Sequence, residues 1–358
     1  MSPTFRVIDT GIRDGRANIA FDQAMIDLHQ NGSIPDSIRF LRFPPTVLIG
    51  RHQALSQEVQ VAYCQKNNIG IARRITGGGA IYFDEGQLGW ALVFHRSSLG
   101  IASLEILARD ICEAAAAGLS KLGITAHYRP RNDIEVDGRK ISGTGGFFDG
   151  DTLFYQGTVL VDMNPADMVA ALRVPAAKLG KHGIESAAAR VVSLKELLGG
   201  KTPGLETIKT ALLDGFKEQL DLAQFPGVIE AQEESTASRI FEEEVGSENF
   251  VTEIDNPADR ADVYVGTHTG AGGTITSYLR LEGARQNRIR EVLLTGDFFV
   301  APPRITLDLE AALRGVAVSE LEQQVTAFFD KTDVGMLSVS PTDFLASINA
   351  ALEQVNST

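Results

Sequence analysis

Apolar residues recur at helical spacing in ANIAFDQAMIDLHQNG, where Ile19, Met25 and Leu28 fall on overlapping faces and Asn31-Gly32 supplies a stop. The next apolar runs are too short for helices. SIRFLRF and TVLIG are rich in β-branched and aromatic residues and are split by Pro44-Pro45, which predicts a strand pair. IGIARR predicts a strand running into Gly77-Gly78-Gly79, and AIYF and LGWALVFH predict strands around the turn Asp84-Glu85-Gly86. Residues 101–122 carry the clearest helical stripe, with Ser103 as cap, Ile106, Leu107 and Ile111 as the apolar face, and an end at Gly123.

NDIEVDGRKISG changes the period from helical to alternating. Asp137-Gly138 between two such runs predicts a two-residue hairpin turn. TLFYQGTVLVD predicts another strand, PADMVAALRV and SLKELL short helices, and roughly residues 204–221 a longer one. Residues 228–262 hold eleven acids and two bases, Arg239 and Arg260, and read as a partly helical junction between domains 1–245 and 246–358. Beyond it, GGTITSYLRLEGARQNRIREVLLTG predicts two strands and a turn, and residues 306–314 and 318–330 predict helices closing a small α+β unit.

Composition narrows the class. The chain has 358 residues with 44% hydrophobic and 22% charged, a soluble globular balance with ample material for a core. No apolar run reaches the ~20 residues of a membrane span, and the N-terminus lacks the pattern of a secretory leader. Cys64 and Cys112 have no CxxC spacing, which fits a reducing cytoplasm better than a disulfide framework. Residues 1–200 carry 21 Lys and Arg against 20 Asp and Glu, whereas residues 201–358 carry 12 against 26. Anion chemistry therefore belongs to the first part, and no nucleic-acid partner is expected.

The glycine run lacks both the helix and the Lys-Ser/Thr of a phosphate loop, because a strand pattern follows it. It reads as an open loop against which a ligand lies, beside the Arg73-Arg74 pair. In the hairpin, pairing from the turn places Glu135 opposite Lys140 and Asp133 opposite Ser142, all on one face, with Asn132, Ile134, Val136 and Ile141 on the other. The bland alternative is a surface ion pair of little energetic consequence. The functional one has Lys140 neutralising an anion and Asp133 holding magnesium. The six histidines show no metal-ligand spacing, and neither cysteine has a nucleophile signature.

RRITGGGAIYFD together with NDIEVDGRKISG closely resembles the lipoate–protein ligase family, as do RFPPTVLIGRHQ upstream and YQGTVLVDMN, KLGKHGI and ESAAARVVSLKELL downstream. The resemblance spans roughly residues 5–200, and residues 270–330, including LTGDFF, look like the family's small accessory domain. It implies an α+β fold, with a mixed, largely antiparallel sheet and flanking helices like the class II synthetase and biotin-ligase catalytic domain, plus a small α+β accessory domain. It implies that ATP and Mg²⁺ convert lipoate, or octanoate, to an acyl-adenylate, whose acyl group passes to a lysine of a carrier protein. That carrier is a 2-oxoacid dehydrogenase lipoyl domain, a glycine-cleavage H protein or a dedicated lipoate-binding protein. By the family pattern, Lys140 and Asp133 are catalytic, Asp133 also holding metal. Arg74, Thr76, Gly77, Gly78, Gly79, Phe83 and Gln156 line the acid. Ala80, Asn132, Ser142, Gly143, Gly157, Thr158, Lys178, Lys181 and Arg190 line the nucleotide. Many members carry histidine where this chain has Phe83 and Gln156. A monomer is expected, with an acidic carrier docking near Arg73, Arg129, Arg131 and Arg139. The alternatives on the same fold are an octanoyl or lipoyl transferase, which commonly uses a cysteine, and a non-catalytic carrier-binding module.

Overall fold

The computed structural model describes residues 2–100, 103–130, 132–173, 189–259 and 262–355. Strand β1 (Thr4–Ile12) leads to helix α1 (Gly15–Gln30), which starts where the Asp14 carboxylate accepts the N–H groups of Arg16 and Ala17. Ile19, Met25 and Leu28 are buried, as their spacing predicts. Strands β2 (Ser37–Arg42), β3 (Thr46–Ile49), β4 (Gly70–Arg73), β5 (Ile81–Phe83) and β6 (Gln87–His95) follow. They divide between two sheets, which overturns the predicted pairing of β2 with β3. β2 lies between β1 and β6, whereas β3 lies between β4 and β5 in a separate three-stranded sheet. The intervening Pro44-Pro45 offers no N–H groups for a hairpin ladder and carries the chain from one sheet to the other.

Helix α2 (Leu104–Ser120) begins at Ser103, whose Oγ accepts the Ile106 N–H at 3.2 Å. Leu107 and Ile111 are buried, but Ile106 is 43% exposed, so it falls outside the predicted stripe. Strands β7 (His127–Arg129), β8 (Asp133–Val136), β9 (Arg139–Asp149) and β10 (Thr152–Leu160), helices α3 (Pro165–Ala171) and α4 (Leu205–Gln219), and strand β11 (Ala223–Pro226) complete this part. The large sheet runs β11-β1-β2-β6-β10-β9-β8-β7, parallel at β11-β1 and β1-β2 and antiparallel elsewhere. One core cluster joins α2 and α4 to Trp90, Phe94 and Tyr155; a second joins α1 to Val93, Phe147 and Phe154 on the other face.

The acidic stretch is helical and packed rather than open. Helix α5 (Ala231–Ile240) lies along α1, and Ala237, Ile240, Val245 and Phe250 join the α1 cluster. Glu233 is fully buried and takes the Arg6 guanidinium through both oxygens, at 2.6 and 3.0 Å. The division predicted after residue 245 therefore falls within this core.

The C-terminal part has its own core. An antiparallel sheet of β12 (Tyr264–Gly270), β13 (Gly273–Glu282) and β14 (Arg288–Gly296) packs with helices α6 (Ile305–Leu313), α7 (Leu321–Lys331) and α8 (Pro341–Val355) around Leu279, Leu309 and Phe344. The sequence pattern finds β13, β14, α6 and α7 but not β12 or α8.

Glu310 on α6 accepts the Leu294 N–H at 2.7 Å, and burial, reinforced by Glu291 and Glu253, pushes its carboxyl up to about 7 from 4.5. The folded state therefore holds a proton that the unfolded chain releases between those values, and stability falls as pH rises through that window. Glu310→Gln keeps an acceptor and removes the charge. It is expected to raise Tm by ~3 °C at pH 8 and to leave it unchanged near pH 4. Identical melting of the two proteins at pH 8 would refute the assignment.

Candidate active site

A cleft of about 990 Å³ opens between the large sheet and the β4-β3-β5 sheet. One side is apolar, with Leu41, Phe43, Leu48 and Phe83; the Phe43 and Phe83 rings lie 4.5 Å apart. The other side is the β8-β9 hairpin, with Asn132, Asp133, Glu135, Lys140 and Gly143. An apolar groove meeting a charged hairpin suits a fatty-chain carboxylic acid activated at its polar end.

The hairpin turns at Asp137-Gly138, both at positive φ, and Glu135 faces Lys140, as the sequence predicts. The register then shifts. Asp133 lies opposite Gly143, and Ser142 lies opposite Ile134, so the predicted place of Ser142 on the charged face is corrected. An extra residue in β9 is the cause. Ile141 and Ser142 are both fully buried; the Ser142 Oγ lies off the cleft, with no hydrogen-bond partner among the described residues. Asn132 moves the other way and lines the cleft, its amide donating to the Thr144 carbonyl at 2.6 Å.

The shift is what builds the charged pair. A Cβ on Gly143 would stand 2.6 Å from the Lys140 Nζ, so the amine crosses bare backbone to reach Asp133 Oδ1 at 2.6 Å. The Thr158 hydroxyl accepts the Gly143 N–H at 3.2 Å. The backbone of Lys140 is clamped by the Arg190 carbonyl and the Val192 N–H, at 2.8 and 2.9 Å. Arg129 lies 2.9 Å from Glu135 and 3.7 Å from Asp133. Among the described residues, no group of three or more His, Cys, Asp or Glu forms a metal cage. One carboxylate beside an anion site fits magnesium, which takes most of its shell from phosphate and water.

The glycine loop is held by Arg74, whose guanidinium donates to the Leu48, Gly77 and Gly79 carbonyls at 2.8, 3.1 and 2.8 Å. Burial lowers its pKa to about 10. Its donors brace the loop. Thr76 accepts from the Gln156 amide at 3.0 Å, and Ala80 lies at the loop's exit on the cleft. Two of the three glycines are closely approached by another part of the chain. A Cβ on Gly77 would stand 2.1 Å from the Phe298 carbonyl, and one on Gly78, at φ +93°, 2.6 Å from the Phe299 ring. Gly157 has a different reason, since its Cβ would stand 2.2 Å from the Trp90 indole.

Arg73 is fully buried and donates to six backbone carbonyls, so its predicted place on a docking surface is corrected. Arg129 and Arg190 are exposed beside the cleft. Arg139 pairs with Glu196 at 2.5 Å. Lys178, Lys181 and Arg131 lie outside the described residues. Asp297, Phe299, Thr144 and Met163 also line the cleft. LTGDFF is visible in the sequence, but nothing in its spacing places it against a glycine loop so far back in the chain.

Neither cysteine lines the cleft. Cys112 is buried against Thr144 and Tyr155, and burial pushes its thiol up to about 11. No helix among the described residues is long and apolar enough to cross a membrane.

Known proteins are similar to this chain in sequence and in fold. Octanoyltransferase LipM of Kyrpidia tusciae is 28% identical over 262 residues, covering 66% of this chain and 95% of its own. The solved bi-partite lipoate protein ligase of Thermoplasma acidophilum, described with its E2 lipoyl domain, superposes with a TM-score of 0.63 at 26% identity, covering 70% of this chain and 97% of its own. A lipoate-protein ligase A bound with ATP gives the same TM-score and identity, covering 70% and 99%. The glycine loop, the Lys140 hairpin and all of the named cleft lining except Asp297 and Phe299 lie within residues 14–217, which match the lipoyl protein ligase A/B catalytic domain, and to that family this chain belongs.

Proposed function

We propose that this chain is an ATP-dependent lipoate–protein ligase. The observation that carries the reading is the Lys140–Asp133 pair facing an apolar cleft whose described lining holds no cysteine. A transferase working through a thiol would need a low-pKa, accessible cysteine. Cys112 is the opposite, buried with a raised pKa. A relative bound with ATP and another solved with its E2 lipoyl domain support ATP as co-substrate and a lipoyl domain as carrier. The C-terminal part serves as the accessory unit, and we place its start beyond Ile254, since Phe250, Val251 and Ile254 are tied to Arg73.

In the first step a carboxylate oxygen of the acid attacks the α-phosphorus of ATP. The new O–P bond forms as the bond to pyrophosphate breaks. The Lys140 amine stands where negative charge gathers on the carboxylate and phosphate oxygens, and the clamp on its backbone fixes it before the reaction. Asp133 would hold magnesium, which supplies charge neutralisation on the phosphates. In the second step a carrier lysine amine attacks the acyl carbon, an amide forms and AMP leaves. Both steps are driven by positioning, with no covalent enzyme intermediate.

The second reading, an octanoyl transferase, is favoured by the similarity to LipM. Intact-mass analysis separates them. Lipoyl domains incubated with this protein, Mg²⁺, ATP and lipoate are expected to gain one lipoyl group, and omission of ATP to abolish the gain. Cys112→Ala is expected to retain this activity within about twofold, because the thiol faces the core and not the cleft. Modification from an octanoyl thioester without ATP, lost in Cys112→Ala, would decide for the transferase.

A further inference from the structure

Phe299 follows β14 in the C-terminal unit, yet its ring lines the catalytic cleft. It is seated between two glycines of the first unit. A Cβ on Gly78 would stand 2.6 Å from its Cζ, and one on Gly145 2.4 Å from its Cε1. Real Cβ atoms do not approach so closely, so the ring occupies the space of two absent side chains. Neighbouring contacts hold it there from both units. The Phe298 carbonyl accepts the Gly78 N–H at 3.2 Å, and the Gly296 N–H donates to the His52 carbonyl at 3.0 Å. The Phe298 ring stacks on the buried His52 ring at 4.8 Å and 8°. Gly145 lies two residues along β9 from Gly143, over which the Lys140 amine crosses, a separation of roughly 7 Å. The ring thus stands beside the charged pair, between the glycine loop and the sheet.

We propose that Phe299 is an acid-binding residue, a wall of the cleft against which the carboxyl-bearing end of the acyl chain packs. The glycines at 78 and 145 are then seats for a side chain of the accessory unit, and the acid site is shared between the two units. The proposal rests on the acid-activating function above and adds a residue to it.

Trp90, the single tryptophan, lines the same cleft, so its fluorescence reports acid binding without ATP or carrier. Octanoate and lipoate are titrated into the full-length wild type, Phe299→Ala, Phe299→Leu and Gly145→Ala, each checked for folding by thermal melting. Phe299→Ala is expected to bind acid about tenfold more weakly and Phe299→Leu to keep most of the affinity. Gly145→Ala, which displaces the ring while leaving Phe299 in place, is expected to match Phe299→Ala and keeps the test valid should that variant not fold. ATP affinity is expected to change less than about twofold. Unchanged acid binding in the variants overturns the proposal alone. Tighter binding overturns it too, since the ring would then compete with the acid, and so does an equal loss of ATP affinity. A wild type that binds neither acid overturns the acid-activating function and this inference with it.

Discussion

Lys140→Ala is expected to fold normally and to release pyrophosphate from lipoate and ATP at least ~10²–10³-fold more slowly than wild type, the range seen when one preorganised charge-stabilising donor is removed. Folding is spared because the side chain is about one-third exposed and its ion pair with Asp133 is partly solvated. The rate is not spared, because the amine's place is defined by three independent features. The bulge puts Gly143 opposite Asp133, the bare glycine leaves a path for the amine, and the Arg190 and Val192 backbone pins the residue on both sides. Lys140→Arg is not expected to rescue the rate, since a planar fork does not fit where a compact amine lies against Gly143. Pyrophosphate release by Lys140→Ala at the wild-type rate would remove the residue from the chemistry.

Arg73→Met is expected to destabilise the fold by about 3–5 kcal/mol, measured as a shift in the urea midpoint at unchanged slope. The guanidinium joins two segments distant in sequence. It donates to Gly50, Arg51 and Gln53 on one side and to Phe250, Val251 and Ile254 on the other. Methionine fills similar volume, so the loss comes from buried carbonyls left without donors. Burial lowers the pKa of Arg73 only to about 10, so it stays charged at neutral pH and keeps all its donors for these carbonyls. Arg73→Lys is not expected to restore stability, because an ammonium cannot span six acceptors from one position. A midpoint shift of under ~0.5 kcal/mol in Arg73→Met would show that the two segments hold together without it.

These two arginine neighbours illustrate where sequence reading succeeded and failed. Arg73 and Arg74 look like an anion-binding pair beside a glycine loop, and a fork of five donors suits phosphate. Sequence does not reveal that main-chain carbonyls gather around both guanidinium groups. In the structure both are buried, and among the described residues their guanidinium groups donate to main-chain oxygens and, from Arg74, to the Thr76 hydroxyl. Ser142 failed for a different reason. Alternation counted from the turn is sound until a bulge inserts one residue, and no residue type in RKISG signals that bulge. The pairing of Glu135 with Lys140 survived because it lies on the turn side of the insertion. β2 and β3 failed because short strands carry no record of which sheet they join.

By itself, the sequence determined the helices with long stripes, the Asp137-Gly138 hairpin and the motif order that resembles the family. Each of these depends on local spacing or on residues adjacent in the chain. The tertiary structure alone decided what the three glycines are for. The backbone of Gly77 and Gly78 meets Phe298 and Phe299 of the C-terminal unit, and Arg74 braces the loop from within. Close approach between segments so distant in sequence is a property of packing, and glycine records only that something comes near, not what it is.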